Sequence, residues 1–270
     1  TFQLLKQDGT VVATATTNAN GQATFSDLYQ ADYVLKEIDT NENYILNEQS
    51  FPINVKYNKT TPITITNEHK RGNLVVYKVD KDNNKVVLGD VEFDLYSEEF
   101  GRVIGTYHTN VNGEIRVENL RTGNYKLIEK TTNQWYDLAS DTNIVVKWNE
   151  DNPTKVENEL KKGQIKVIKV DLDKTEVKLE GVEFEVLDEN DKVLETITTD
   201  ANGEALTNRY PVRDFEKLKL RETKTLENYV LNDEEKTIVL KENQIENITF
   251  ENEKKKGQIK VIKVDLDNNE

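Results

Sequence analysis

From Gly163 to Asp173 apolar and polar side chains take turns, GQIKVIKVDLD, and the same letters return from Gly257 to Asp267. A looser copy, GNLVVYKVDKD, runs from Gly72 to Asp82. Period-two alternation predicts a strand with one face buried. Each copy departs from its own pattern at one place: Ile165, Val167 and Lys169 share a face, as do Leu74, Val76 and Lys78, and Ile259, Val261 and Lys263. A lysine aimed into a core is costly unless something pairs with it or reacts with it.

The alternation continues in VEFDL (Val91 to Leu95), VEFEV (Val182 to Val186) and the opening TFQLL. Three turn signals follow such strands, at Asn20-Gly21, Asn112-Gly113 and Asn202-Gly203. Asn-Gly suits both positive-φ positions of a type I′ turn, so each predicts a tight hairpin. Next come DYVLKE, NYKLIE and KLKLRE, ending on Glu37, Glu129 and Glu222, with Tyr44, Tyr136 and Tyr229 seven residues further on. Each unit then closes on a β-branched strand and an Asn-Glu pair, carrying Asn67, Asn158 and Asn252.

The spacings tie these pieces into one repeat. Lys78 to Lys169 and Asn67 to Asn158 are both 91 residues, while Lys169 to Lys263 and Asn158 to Asn252 are both 94. Short strands, frequent turns and no helical stretch predict an all-β chain of tandem β-sandwich domains, Ig-like in class. The expected boundaries are 1–70, a domain lacking its lysine strand; 71–160 and 161–254, both complete; and 255–270, the first strand of a following domain. Thr1 aligns near Glu183, which is why the first domain has no lysine strand of its own. The charged links EHKRG, LKKG and KKKG are too short to be floppy, so the array is expected to be rod-like.

Composition narrows the chemistry. The chain is 36% hydrophobic and 32% charged, enough for small cores, and its net charge is −14 without a basic stripe. Nucleic acid and anionic membrane are therefore not expected partners. There is no cysteine, and the two histidines, His69 and His108, lie far apart, which removes disulfides, thiol catalysis and His/Cys metal sites. With no methionine and Thr1 in first place, the chain reads as part of a longer protein. No apolar run approaches membrane-spanning length.

What remains is lysine, glutamate and asparagine in fixed register. If the first strand of a unit lies beside its last, Lys169 meets Asn252 in the core with Glu222 nearby. Burial favours the neutral amine and the protonated acid. A neutral amine held against a carboxamide is a nucleophile facing an electrophile, and the acid can polarise the carboxamide and shuttle protons as ammonia leaves. The product is an isopeptide bond, made without cofactor. The same residues also suit a buried Lys–Glu ion pair with asparagine as its hydrogen-bond partner.

The arrangement resembles the Cna B-type (collagen-adhesin B-repeat, prealbumin-like) domains of Gram-positive surface proteins. The resemblance rests on V-x-K-V-D at Val76 to Asp80, V-I-K-V-D at Val167 to Asp171, L-x-E with its later tyrosine at Leu127 to Tyr136 and Leu220 to Tyr229, and E-N-E at Glu157 to Glu159 and Glu251 to Glu253. It implies prealbumin-like sandwiches and autocatalytic cross-links Lys78–Asn158 and Lys169–Asn252, with Glu129 and Glu222 as the catalytic acids. Glu37 and Asn67 are two parts of a third set, for which Lys263 is the matching lysine. Two readings of that set stand: Lys263 completes the first unit of another copy, head to tail, or the chain is cut from a longer array. The segments before the tyrosines, KTTNQWY, TKTLENY and IDTNENY, depart from the family's usual Ala-Pro and Gly, and the third unit replaces the short LRTGNY turn with NRYPVRDFEKL.

The resemblance implies a load-bearing stalk or fibre segment on the outside of a Gram-positive cell, attached to the wall or part of an appendage. It is not a turnover enzyme, and its partners are neighbouring repeats. The alternatives are an adhesin module for a host or matrix protein, with Asn208 to Phe215 as the place to look, and a head-to-tail fibre subunit. Asp80, Asp82 and Asn84, like Asp265, Asp267 and Asn269, imitate a calcium loop but lack its glycine and are read as acidic turns. No metal site is expected. Trp135 and Trp148 are read as core residues, and His108 as an ordinary strand residue.

Overall fold

The computed structural model describes residues 1–264, none of them helical, so Asp265, Asp267 and Asn269 lie outside it. The chain divides into two compact units. One is Thr1–Asn133 with Leu138–Asn158; the other begins with Gln134–Asp137 and resumes at Glu159.

The first unit opens with β1 (Phe2–Lys6), β2 (Val11–Ala15), β3 (Ala31–Glu37) and β4 (Ser50–Val55), one antiparallel sheet in the order β2-β1-β3-β4. It continues with β5 (Arg71–Asp80), β6 (Glu92–Ser97), β7 (Arg102–His108), β8 (Glu114–Arg121), β9 (Gly123–Thr131), β10 (Thr142–Val146) and β11 (Asp151–Asn158). These make two sheets, β10-β9-β6-β7 and β11-β5-β8. The second unit holds β12 (Lys162–Asp171), β13 (Glu183–Leu187), β14 (Val193–Thr198), β15 (Glu204–Leu206), β16 (Tyr210–Pro211), β17 (Lys217–Lys224), β18 (Lys236–Val239) and β19 (Ile245–Asn252). Its sheets repeat the plan: β14-β13-β17-β18, and β12 flanked by β15, β16 and β19.

Two details position the site. The lysine strand of each complete repeat runs parallel to the last strand, with Asp80 opposite Asn158 and Asp171 opposite Asn252. The alternating face then buries Leu74, Val76 and Lys78 completely, and likewise Ile165, Val167 and Lys169. Phe93 and Phe184, on the facing sheets, close the cores over them. Hydrophobic burial of such side chains is what holds two thin sheets together.

The hairpin turns differ from the expected type I′. Only the glycines, Gly21, Gly113 and Gly203, have positive φ. In the second repeat the Gly113 N–H donates to Asn110 O, and the Asn110 N–H donates to Glu114 O. This is a type I turn followed by a left-handed glycine, a three-residue loop. Asn110 decides it: its Oδ1 accepts the N–H of Asn112 and of Glu114, and Asp200 does the same for Asn202 and Glu204. The glycines also touch the lysine strand. A Cβ on Gly113 would lie 2.5 Å from Lys78 O, and one on Gly203 would lie 2.5 Å from Lys169 O.

Two expected strands do not form among the described residues. Residues 60–67, the counterpart of β11 and β19, are not in a strand, and neither are residues 255–264. The counterparts β11 and β19 each pair with a lysine strand. Residues 60–67 have no such neighbour in the first repeat, and residues 255–264 have no flanking strands.

Candidate functional site

Each complete repeat brings its lysine, glutamate and asparagine into one dry cluster. In the second repeat, Lys78 Nζ on β5 donates to Asn158 Oδ1 on β11 and lies 3.1 Å from Glu129 Oε2 on β9. Asn158 Nδ2 donates to Glu129 Oε1 at 2.6 Å. In the third, Lys169 Nζ donates to Asn252 Oδ1 at 2.6 Å and lies 3.5 Å from Glu222 Oε2. Asn252 Nδ2 donates to Glu222 Oε1 at 2.5 Å. Both lysine side chains are wholly shielded from solvent.

The carboxylate thus spans the two nitrogens. One oxygen faces the amine and the other faces the amide nitrogen, so the glutamate meets the carboxamide at its nitrogen. Among the described residues Glu222 Oε2 has no hydrogen-bond partner, leaving it open towards Lys169. Burial pulls the Lys169 amine down to about 8, against the opposing pull of Glu222. Lys78 is lowered for the same reason, with Glu129 opposing. A buried amine with depressed basicity carries more of the neutral, nucleophilic form.

Sequence reasoning missed one member. Thr132 and Thr225, each three residues beyond the glutamate, accept from the asparagine Nδ2 at 2.8 and 2.7 Å. Thr40 stands at the same place after Glu37 and accepts from Asn67 at 3.3 Å. The signal was present as a threonine in the same register of all three repeats. A backbone N–H ten residues beyond each glutamate completes the cradle: Asn47, Ala139 and Asn232 donate to Glu37, Glu129 and Glu222.

In the first repeat Asn67 Nδ2 donates to Glu37 Oε2 at 2.6 Å, so that pair is assembled without a lysine. Lys263 is exposed and outside any strand.

The lysine strands are also anchored beyond this cluster. Asp171 Oδ2 accepts from Tyr229 Oη at 2.7 Å and pairs with Lys254 Nζ at 2.9 Å. These contacts hold its carboxyl well below the usual carboxylate range, Lys254 contributing most. Asp80 Oδ1 caps the N–H groups of Asp82 and Asn83, as an acidic turn does. His108 ends β7, beside Asp90 and Glu92. Trp148 is 52% exposed beneath Lys70, whose Nζ sits 5.0 Å from the ring, and is therefore not the core residue expected. Trp135 is half-buried.

A family model for the SpaA prealbumin-like fold domain matches residues 1–69, 72–162 and 163–254. The chain belongs to this family. The expected prealbumin-like, all-β tandem architecture is borne out, and an extracellular Gram-positive surface location agrees with it. Serine-aspartate repeat-containing protein E of Staphylococcus aureus (strain N315) is 31% identical over 140 residues, covering 44% of this chain and 12% of the relative. The bone sialoprotein-binding protein of Staphylococcus aureus matches with the same identity and coverage. Among solved structures, the Bacillus anthracis TIE protein is 26% identical, with a TM-score of 0.52, covering 94% of this chain and 47% of that one. The chain therefore spans a minor part of each relative.

Proposed function

We propose that this chain is a stalk segment of a Gram-positive surface protein, shackled by autocatalytic Lys78–Asn158 and Lys169–Asn252 isopeptide bonds and built to carry load. The observation that carries the reading is the twice-repeated buried cluster, in which one carboxylate touches both the amine and the amide nitrogen. In the reaction Nζ attacks Cγ of the asparagine. The Nζ–Cγ bond forms as the Cγ–Nδ2 bond breaks. Glu129 or Glu222 takes the amine proton on Oε2 and supplies one to Nδ2 from Oε1, so ammonia leaves. Threonine holds the leaving nitrogen in line. Each domain reacts once and is consumed, so the chemistry is assembly rather than turnover.

Load follows from the strand order. With the first and last strands joined, tension crosses from one to the other at the bond and bypasses the residues between them. The head-to-tail and adhesive alternatives differ in what they need. The place named for adhesion, Asn208 to Phe215, offers little exposed apolar surface: Tyr210 is buried, and Val212 and Phe215 pack on the core. The bone sialoprotein-binding relative keeps that activity in its own name, and a binding assay on this chain tests whether it is shared.

The deciding experiment is the intact mass of the denatured chain. Two missing ammonia molecules, located by peptide mapping at Lys78–Asn158 and Lys169–Asn252, are expected. Full mass would reduce both clusters to buried ion pairs.

A further inference from the structure

In the third repeat, three side chains outside the Lys169, Glu222 and Asn252 cluster form a second set, and each is tied by sequence to one member of the first. Asp171 lies two residues past Lys169, Lys254 two past Asn252, and Tyr229 seven past Glu222. They meet at a single oxygen: Asp171 Oδ2 accepts from Tyr229 Oη at 2.7 Å and lies 2.9 Å from Lys254 Nζ. The other oxygen, Oδ1, accepts the N–H groups of Asp173 and Lys174. The Asp171 side chain is only 1% exposed, so loss of Lys254 leaves a buried carboxylate short of its charge partner.

What this set supplies is register. Ile248, Phe250 and Asn252 share the inner face of β19. A one-residue slip against β12 turns that face outward, so alternation forbids it. A two-residue slip keeps the same face inward, and alternation is blind to it. Such a slip carries Asn252 about 6.6 Å along the strand, out of reach of Lys169 Nζ. Phe250 resists it on one side of Asn252 by packing on Phe184, with ring centroids 4.9 Å apart. Lys254 resists it on the other side. Asp171 stands opposite Asn252 in the parallel pairing, and a slip in either direction pulls Lys254 off its carboxylate.

We propose that Asp171, Tyr229 and Lys254 are positioning residues for the Lys169–Asn252 bond, holding the last strand in the one register that sets Asn252 Cγ against Lys169 Nζ. This rests on the isopeptide reading above and deepens it. The bond-making steps stay with Lys169, Glu222 and Asn252, while the second set keeps amine and carboxamide at high effective concentration. The second repeat carries Leu160 where the third has Lys254, so its bond does not draw on this cation and serves as a control within the same chain.

Rates of bond formation test it. Freshly synthesised full chain is refolded, sampled over time and digested, and the Lys169–Asn252 and Lys78–Asn158 peptides are counted. Lys254→Met keeps the length of the side chain and loses its charge. It should slow the Lys169–Asn252 bond by about tenfold or more, the order expected when a reacting pair is loosely placed, and leave Lys78–Asn158 at the wild-type rate. Lys254→Arg restores the cation and should restore the rate. Unfolding of each variant in the Glu222→Gln background, where no bond forms, fixes conditions under which the third repeat is fully folded, so that a slower rate reports placement and not lost stability. A folded Lys254→Met chain that closes at the wild-type rate overturns the proposal, as does a Lys254→Arg chain as slow as Lys254→Met. If Lys254→Met leaves the third repeat unfolded, Tyr229→Phe, which removes one hydroxyl, decides instead: slower closure of the folded repeat supports the proposal and an unchanged rate overturns it. Wild-type chain that forms neither bond would sink the isopeptide reading itself; both bonds formed, with every variant at the wild-type rate, would sink only this inference.

Discussion

At the scale of residues, the proposed reaction divides its proton transfers between two oxygens of one carboxylate. Glu222→Gln preserves shape but removes the proton acceptor facing Lys169. The third repeat should then keep its ammonia while the second loses one, which intact mass resolves directly. The amine sets the pH dependence. Since burial brings Lys169 to about 8, the neutral nucleophile dominates only above that value. Closure of the third repeat should level off above about pH 8 and slow roughly tenfold for each unit below it. Mass measured over time on freshly synthesised chain, folded at each pH, reads this rate. A flat profile would mean that proton loss from lysine does not limit the bond. The threonines show why residue patterns alone fall short: Thr225 looks like an ordinary strand-end residue until the fold points its oxygen at Asn252.

At the scale of elements, the hairpin and the lysine strand are one device. The Lys169 N–H donates to Gly203 O at 2.7 Å, so the turn grips the buried lysine's own backbone. Gly203 sits at φ +69 with no room for a side chain. Gly203→Ala should destabilise the second unit by about 1–3 kcal/mol, the usual cost of a side chain at a strained backbone position. Denaturant unfolding of a Glu222→Gln background, where no bond masks the effect, measures it. Asn-Gly was legible as a turn, but its geometry was not. The type I′ expectation considered the two central residues, whereas the carboxamide of Asn110 and the carboxylate of Asp200 select a wider loop by binding backbone N–H groups. The last strand of the first repeat shows the same limit. TITITNE has the composition of a strand, and composition cannot supply the partner that would make it one.

At the scale of the whole molecule, each bond would close a loop of 80 or 83 residues. Chain entropy alone makes such a closure worth about 4–5 kcal/mol per repeat. Pulled from its ends, the shackled chain should release contour from the first repeat and from the links, and none from Lys78–Asn158 or Lys169–Asn252. Single-molecule force spectroscopy reads that length, and Glu222→Gln should restore the missing extension of the third repeat only. Release of the full length by the unmodified chain would remove the mechanical reading. Absence of cysteine suits such a design, because an amide cross-link is indifferent to reduction.

The sequence by itself determined where alternation favours a strand, that three lysines share the apolar face of that pattern, and that lysine, glutamate and asparagine recur in one register. Those are local or periodic properties, and a strand's alternation is written in neighbouring letters. Only the tertiary structure decided that the first and last strands run parallel, that Asn158 and Asn252 meet their lysines, and which carboxylate oxygen faces which nitrogen. It also decided that the first repeat holds Asn67 against Glu37. Those features depend on contacts across some 30 to 83 residues, where backbone pairing and packing choose among partners the local pattern leaves equivalent.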